Sequence, residues 1–392
     1  MAKVSTGLEN LIRYPHSGLE NKRLGLLCNQ ASVDGNFRHA RDLIANRFPG
    51  QLKVLFSPQH GFFAEKQDNM IESGDFTESR LSIPVYSLYG KTRSPTPSMM
   101  DKIDVLLVDL QDAGTRVYTF FSTLSLCMEA AAETDTQVVV LDRPNPVGGM
   151  QVEGNCLDPR YSSFVGRYPI PMRHGLTIGE FAGYINRVFN VGCRLEVIRM
   201  NGWDRSMYFE DTGLAWVAPS PNLPAICSVV VYPGQVIWEG TNVSEGRGTT
   251  LPFELFGAPF INTGTMEKAL GGITGFEGAV LRPAVFEPTS GKWAQTPCRG
   301  FQIHVTDRRR FRPYLCSLKL LSAVINLFPK DFAWNPPPYE YEYEKLPFDI
   351  ITGDPEIRKH LEAGLDPSEL EDRWLPGIRR YLEQVRPFYI YK

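Results

Sequence analysis

Residues 239–249, Glu-Gly-Thr-Asn-Val-Ser-Glu-Gly-Arg-Gly-Thr, set two carboxylates, a guanidinium and an amide among three glycines. Glycine admits positive φ and close approach of the backbone to a ligand, while Glu239, Asn242, Glu245 and Arg247 supply acceptors and donors from one loop. Turn formation alone requires neither Arg nor Glu, so the stretch reads as a polar binding or catalytic loop. Asn242-Val-Ser244 also fits a glycosylation acceptor, which matters only for a secreted eukaryotic chain.

A second set of polar residues follows a series of apolar runs. Segments rich in Val, Leu and Ile recur at 23–30, 52–58, 83–89, 104–111 and 137–143, with helical patterns at 37–47 and 119–133 between them. Near-continuous hydrophobicity marks strands buried on both faces. Their alternation with helices predicts an α/β fold, a Rossmann-like doubly wound and mostly parallel sheet. In such sheets ligands bind beyond the carboxyl ends of the strands. Gln59 and His60 stand there after the second run, Asp109, Gln111, Asp112, Arg116 and Tyr118 after the fourth, and Arg143 and Asn145 after the fifth. Structural roles compete with these: Gln59 and His60 as turn caps, Asp112 as a helix N-cap, Asp142 and Arg143 as an internal ion pair.

Glu153 and His174 extend the candidates, His174 because it precedes a helix that Thr177 and Glu180 open as a capping box. A strand candidate follows at 193–200, and then the proline-rich crossing at 218–224 excludes regular structure. That crossing divides the chain into a Rossmann-like domain, 1–225, and a smaller α+β domain, 226–392. The second part carries a strand at 300–306, helices at 314–326, 355–363 and 370–385, and a Pro/Tyr/Glu stretch at 334–347 that reads as an extended arm packed on the surface.

Composition narrows the chemistry. With 41 basic and 44 acidic residues the net charge is −3, which leaves no electrostatic footprint for nucleic acid or an anionic membrane. There is no run of about 18 apolar residues to span a bilayer and no secretory h-region at the start, so the expected compartment is the cytoplasm. Seven scattered cysteines without a C-x-x-C pair indicate neither a disulfide framework nor a zinc ribbon. The fingerprints of dinucleotide enzymes, P-loop hydrolases and α/β-hydrolase nucleophiles are absent, as is any H-x-x-x-H pair. What remains is a cleft of carboxylates, amides, Arg, His and Tyr, suited to a hydroxyl-rich substrate. Glycoside hydrolysis requires one protonated carboxyl and usually a second carboxylate.

The series Ser-Pro-Gln-His-Gly at 57–61, Asp-Leu-Gln-Asp-Ala-Gly-Thr-Arg at 109–116, Leu-Asp-Arg-Pro-Asn-Pro at 141–146, Ser-Phe-Val-Gly at 163–166, Arg-His-Gly-Leu-Thr at 173–177, Ser-Pro-Asn-Leu-Pro at 220–224 and the 239–249 loop resembles the exo-β-N-acetylmuramidase family. The resemblance runs from about residue 7 to the C-terminus. It implies that the Rossmann-like domain is catalytic and holds the active site, and that the smaller domain closes the cleft. It also implies release of N-acetylmuramic acid from the non-reducing end of peptidoglycan fragments, a small saccharide or muropeptide as partner, and no metal or organic cofactor. The lactyl carboxylate of that sugar needs a cationic partner, for which Arg116, Arg143, Arg173 and Arg247 are available. One departure matters: the family usually has Glu where this chain has Gln59, and an amide cannot exchange a catalytic proton at neutral pH.

The acid and base roles are therefore expected among Glu65, Glu153, Asp109 and Glu245, with Gln59, His60, Arg143 and Asn242 orienting the sugar. Gln111, Asp112, Arg116, Tyr118, Asn145, His174, Asn222, Glu239 and Arg247 complete the expected substrate contacts. Two alternatives stay open: a saccharide-binding protein that lost its chemistry through Gln59, and a muropeptide amidase or transferase using Cys28 or Ser57 as nucleophile.

Overall fold

The computed structural model describes residues 3–14, 16–271 and 275–392. The first 200 residues carry β1 (Leu24–Cys28), β2 (Leu52–Ser57), β3 (Phe76–Glu78), β4 (Ile83–Ser87), β5 (Val105–Asp109), β6 (Gln137–Leu141), β7 (Glu153–Cys156), β8 (Pro171–Arg173) and β9 (Leu195–Ile198). Seven of them form one sheet in the order β3-β4-β2-β1-β5-β6-β9, parallel except for β3. The apolar runs are these strands, and their period of two explains why they are apolar throughout. Leu27, Phe56, Leu106, Val108, Val138 and Val140 face one side with helix Phe120–Glu133. Leu24, Leu26, Leu55, Val105, Leu107 and Val139 face the other with helices Gly7–Arg13 and Ala40–Arg47.

Helix Ile178–Val188 begins at the capping box: Thr177 Oγ1 accepts from the Glu180 N–H at 3.2 Å and Glu180 Oε2 accepts from the Thr177 N–H at 3.1 Å. Asp142, at the end of β6, adds acceptors for the Gly179 N–H, the Thr177 hydroxyl and the Tyr391 hydroxyl. Its carboxylate therefore ties the helix start and the C-terminal segment to the sheet and makes no side-chain pair with Arg143.

The second, smaller domain is built on an antiparallel sheet, β10 (Leu255–Ala258), β11 (Ala279–Phe286) and β12 (Cys298–Val305), in the order β10-β12-β11. Helices Ile226–Gln235 and Pro313–Leu327 pack together beside it, and Ser368–Val385 returns to lie on β7. One apolar cluster runs from the sheet face through Tyr232, Trp238, Phe256 and Tyr314, so the two sheets share a core. Among the described residues no helix is long and apolar enough to cross a membrane.

Candidate active site

Two polar regions lie at the carboxyl edge of the large sheet, and the structure separates them. The inner region is buried. Asp109 is fully buried and takes Arg143 Nε at 2.6 Å and Nη2 at 2.8 Å, while the same guanidinium donates to the Val33 carbonyl. Arg116 donates to the carbonyls of Asn155, Ile170, Ile351 and Thr352, which staples the second domain to the first. Gln111 donates to the Pro144 carbonyl, and Asn145 spans Val147 and Leu176. Asp112 accepts from Gly114 and faces His174 Nε2 at 3.4 Å, deep beneath the surface.

The outer region is a narrow cleft lined by Gln59, His60, Asn69, Tyr118, Thr119, Ser220, Asn222, Tyr232, Glu239, Arg247, Phe253, Tyr339 and Glu340, among others. It lies between the loop after β2 and the second domain's wall. Three lining residues, His60 (φ 72), Phe253 (φ 64) and Glu340 (φ 46), hold left-handed backbone. Such strain persists where surrounding structure fixes it and concentrates at functional sites.

Gln59 is clamped from both sides. Its Oε1 accepts from the Thr119 hydroxyl at 2.6 Å, and its Nε2 donates to Glu340 Oε1 at 3.0 Å. The Tyr89 hydroxyl donates to the other oxygen of Glu340 at 2.5 Å. Burial pushes the Glu340 carboxyl up to about 7, against the pull of these two donors, and the charge of Glu239 adds to the rise. His60 Nδ1 donates to the Lys66 carbonyl at 2.7 Å, so the neutral ring keeps Nε2 as an acceptor. Burial pushes this imidazole down to about 4.

Glu239 is held by three donors: Arg247 Nη2 at 2.7 Å, the Tyr339 hydroxyl at 2.6 Å and Asn69 Nδ2 at 3.0 Å. Arg247 also meets Glu245 at 3.4 Å, and Lys292 takes the second oxygen of Glu245 at 2.9 Å. The remaining Arg247 Nη1 has no hydrogen-bond partner among the described residues. Gly246 and Gly248 adopt φ of 79 and 78, whereas Gly240 serves close approach: a Cβ there would sit 2.6 Å from the Phe348 Cα.

Of the expected catalytic carboxylates, none lines the cleft. Glu65 is exposed and accepts from the Phe63 N–H of its own loop. Glu153, pushed up to about 7 by burial, accepts the Leu315 N–H and fastens helix Pro313–Leu327 to β7. Asp109 is committed to Arg143, and Glu245 stands behind Arg247. Asn242 pins residues 331–333 through the Asp331 carbonyl and the Ala333 N–H instead of reaching a sugar. Gln59, His60, Tyr118, Asn222, Glu239 and Arg247 do converge in the cleft, whereas Gln111, Asp112, Arg116, Arg143, Asn145 and His174 do not.

The sequence reading missed Glu340, Tyr339, Thr119 and Asn69. The 334–347 stretch is not a surface arm: left-handed backbone at Glu340 and Tyr341 breaks the Tyr/Glu alternation, so Tyr339 and Glu340 both line the cleft. Cys28 is fully buried with its thiol held well above the usual range, and neither it nor Ser57 lines the cleft. Among the described residues no group of three or more His, Cys, Asp or Glu side chains could hold a metal ion.

Residues 24–227 match the N-terminal domain, and 230–391 the C-terminal domain, of the family described as exo-beta-N-acetylmuramidase NamZ. The chain belongs to the exo-β-N-acetylmuramidase NamZ family. It is 40% identical over 389 residues to the peptidoglycan beta-N-acetylmuramidase NamZ of Bacillus subtilis strain 168, covering 99% of this chain and 92% of that protein. A crystal structure of a DUF1343 family protein from Bacteroides fragilis matches with a TM-score of 0.89 at 32% identity, covering 100% of both chains. A second from the same organism matches at 0.77 and 30%, covering 100% of this chain and 99% of that one.

Proposed function

We propose that this chain is an exo-β-N-acetylmuramidase that releases N-acetylmuramic acid from the non-reducing end of peptidoglycan fragments, with Glu340 as the proton donor. One observation carries the reading: an unpartnered guanidinium N–H of Arg247 shares a small cleft with a carboxyl poised near neutrality. Of the four arginines that could take a lactyl carboxylate, Arg116, Arg143 and Arg173 are engaged elsewhere, and Arg247 lines the cleft. Glu340 protonates the departing glycosidic oxygen, which removes the charge that would otherwise develop on it. Glu239, hydrogen-bonded by Arg247, faces the positive charge that builds at the anomeric carbon. His60 Nε2 and the Tyr118 and Asn222 side chains offer partners to the sugar's polar groups.

Gln59 fits this assignment. A carboxylate at position 59 would stand beside Glu340, and two carboxyls that close share one proton. The amide donates to Glu340 instead, so the proton-donor role passes to the second domain. The seven cysteines are all unpaired, which favours a reducing compartment and hence a cytoplasmic role in recycling wall fragments.

The loss of the family Glu also favours a second reading, a saccharide-binding protein without chemistry. Incubation with 4-nitrophenyl N-acetylmuramide separates the two. Release of 4-nitrophenol with free N-acetylmuramic acid is expected; binding of the sugar without release supports the second reading and overturns the first.

A further inference from the structure

The two walls of the cleft continue past it. Gln67 stands in the loop between His60 and Asn69, and Gly248, Thr249, Thr250 and Leu251 follow Arg247 directly. These residues line a second, wider groove, whose far side is β11 from Arg282 to Glu287. The join between cleft and groove is fixed. Asn222 Nδ2, in the cleft, donates to the Gln67 carbonyl at 2.9 Å. Thr289 donates to the Gly248 carbonyl through its N–H and through its hydroxyl, each at 2.9 Å. Gly248 permits that approach, since its backbone is left-handed and a Cβ there would collide with the Ser290 carbonyl.

The groove has the chemistry of an uncharged, hydroxyl-rich ligand. The side chains of Gln67, Thr250 and Ser290 line it and make no hydrogen bond among the described residues, so an amide and two hydroxyls are left for a ligand. Leu251 and the exposed Val285 add apolar surface. One cation, Arg282, and one anion, Glu287, line it, and their charges cancel. Because β11 is an edge strand, an extended peptide added alongside it is the rival occupant. The register opposes that. The Ile303 N–H donates to the Glu254 carbonyl, toward β10, so Phe301 two residues away turns its backbone the same way. Pro283, paired with Phe301, therefore turns its nitrogen to the open edge, where it has no hydrogen to offer an added strand.

We propose that this groove binds the glycan chain on the leaving-group side of the scissile bond, so that the preferred substrate is a strand of several sugars and not a disaccharide. The inference rests on the reading of the cleft as a saccharide site. A sugar at the non-reducing end has a neighbour on one side alone, so a groove continuous with its cleft receives the leaving-group side. The stretch of β11 along the groove runs about 17 Å, longer than one pyranose ring.

Calorimetry with glycans thio-linked at the terminal bond tests this without turnover. N-acetylmuramic acid, its disaccharide with N-acetylglucosamine and the corresponding peptide-free tetrasaccharide are titrated into the wild type, into Gln67→Ala and into the double variant Thr250→Leu/Ser290→Leu. In the wild type the tetrasaccharide should bind roughly tenfold more tightly than the disaccharide, as one or two added hydrogen bonds provide. That ratio should shrink in Gln67→Ala and fall toward one in the double variant, with affinity for the monosaccharide unchanged in both. A ratio of one in a wild type that binds the monosaccharide, or a ratio untouched by both variants, overturns the groove assignment alone. Binding of the sugar-free peptide of a muropeptide that the double variant abolishes also overturns it, in favour of a peptide site. Absence of monosaccharide binding in the wild type overturns the reading of the cleft and the groove assignment with it.

Discussion

The inner polar cluster around Asp109 and the outer cleft around Glu340 hold the same residue types at the same edge of the same sheet. They differ in which of them lines the cleft. Asp109 and Arg143 bond each other, and Arg116 donates to four backbone carbonyls, so the inner cluster locks the strand ends and the domain seam. Its atoms without a partner among the described residues, Arg116 Nε, Asp112 Oδ1 and His174 Nε2, belong to residues that do not line the cleft. In the cleft, Arg247 keeps an unpartnered N–H and Glu340 is held by donors that orient it without neutralising it. Polar residues at a topological switch point therefore include scaffold as well as site, and access to the cleft tells the two apart.

Breaking each region should produce different losses. Asp109→Ala strands a buried guanidinium, and about 3–5 kcal/mol of stability should be lost, measured by urea unfolding, with affinity for N-acetylmuramic acid in the folded fraction unchanged. An equal loss of affinity would mean that the inner cluster reaches the ligand. Arg247→Lys keeps the charge beside Glu239 but loses the planar fork. Here calorimetry should find binding of N-acetylmuramic acid weakened by about 2 kcal/mol, with little effect on N-acetylglucosamine, which lacks the lactyl group, and little change in stability. Equal weakening for both sugars would remove Arg247 as the lactyl partner.

The fold was largely legible because its strands are buried on both faces and read as apolar runs, and because the Thr177/Glu180 box marks a helix start chemically. β3 escaped notice: three residues, Phe76–Glu78, with two of them exposed, leave no apolar run. The site was half legible. Gln59, His60, Glu239 and Arg247 stand in loops whose composition exceeds turn chemistry. Glu340 could not be found that way, since an alternating Tyr/Glu stretch predicts its carboxylate on the wet side. Only the left-handed backbone at 340 and 341 turns it inward. Glu65 and Glu153 have the type and neighbourhood of a catalyst, but a loop acceptor and a helix-start acceptor have the same composition.

The central claim, that Glu340 delivers the proton, is tested most directly by leaving-group dependence with pH. The wild type should hydrolyse the N-acetylmuramyl disaccharide with kcat/KM that falls tenfold per unit as pH rises above about 7, because deprotonation of Glu340 removes the acid. Glu340→Gln should lose about a thousandfold on the disaccharide and abolish that alkaline limb. On an aryl glycoside with a leaving group too weakly basic to need protonation, the same variant should lose far less. An alkaline limb that persists in Glu340→Gln, or an equal loss on both substrates, would contradict the assignment.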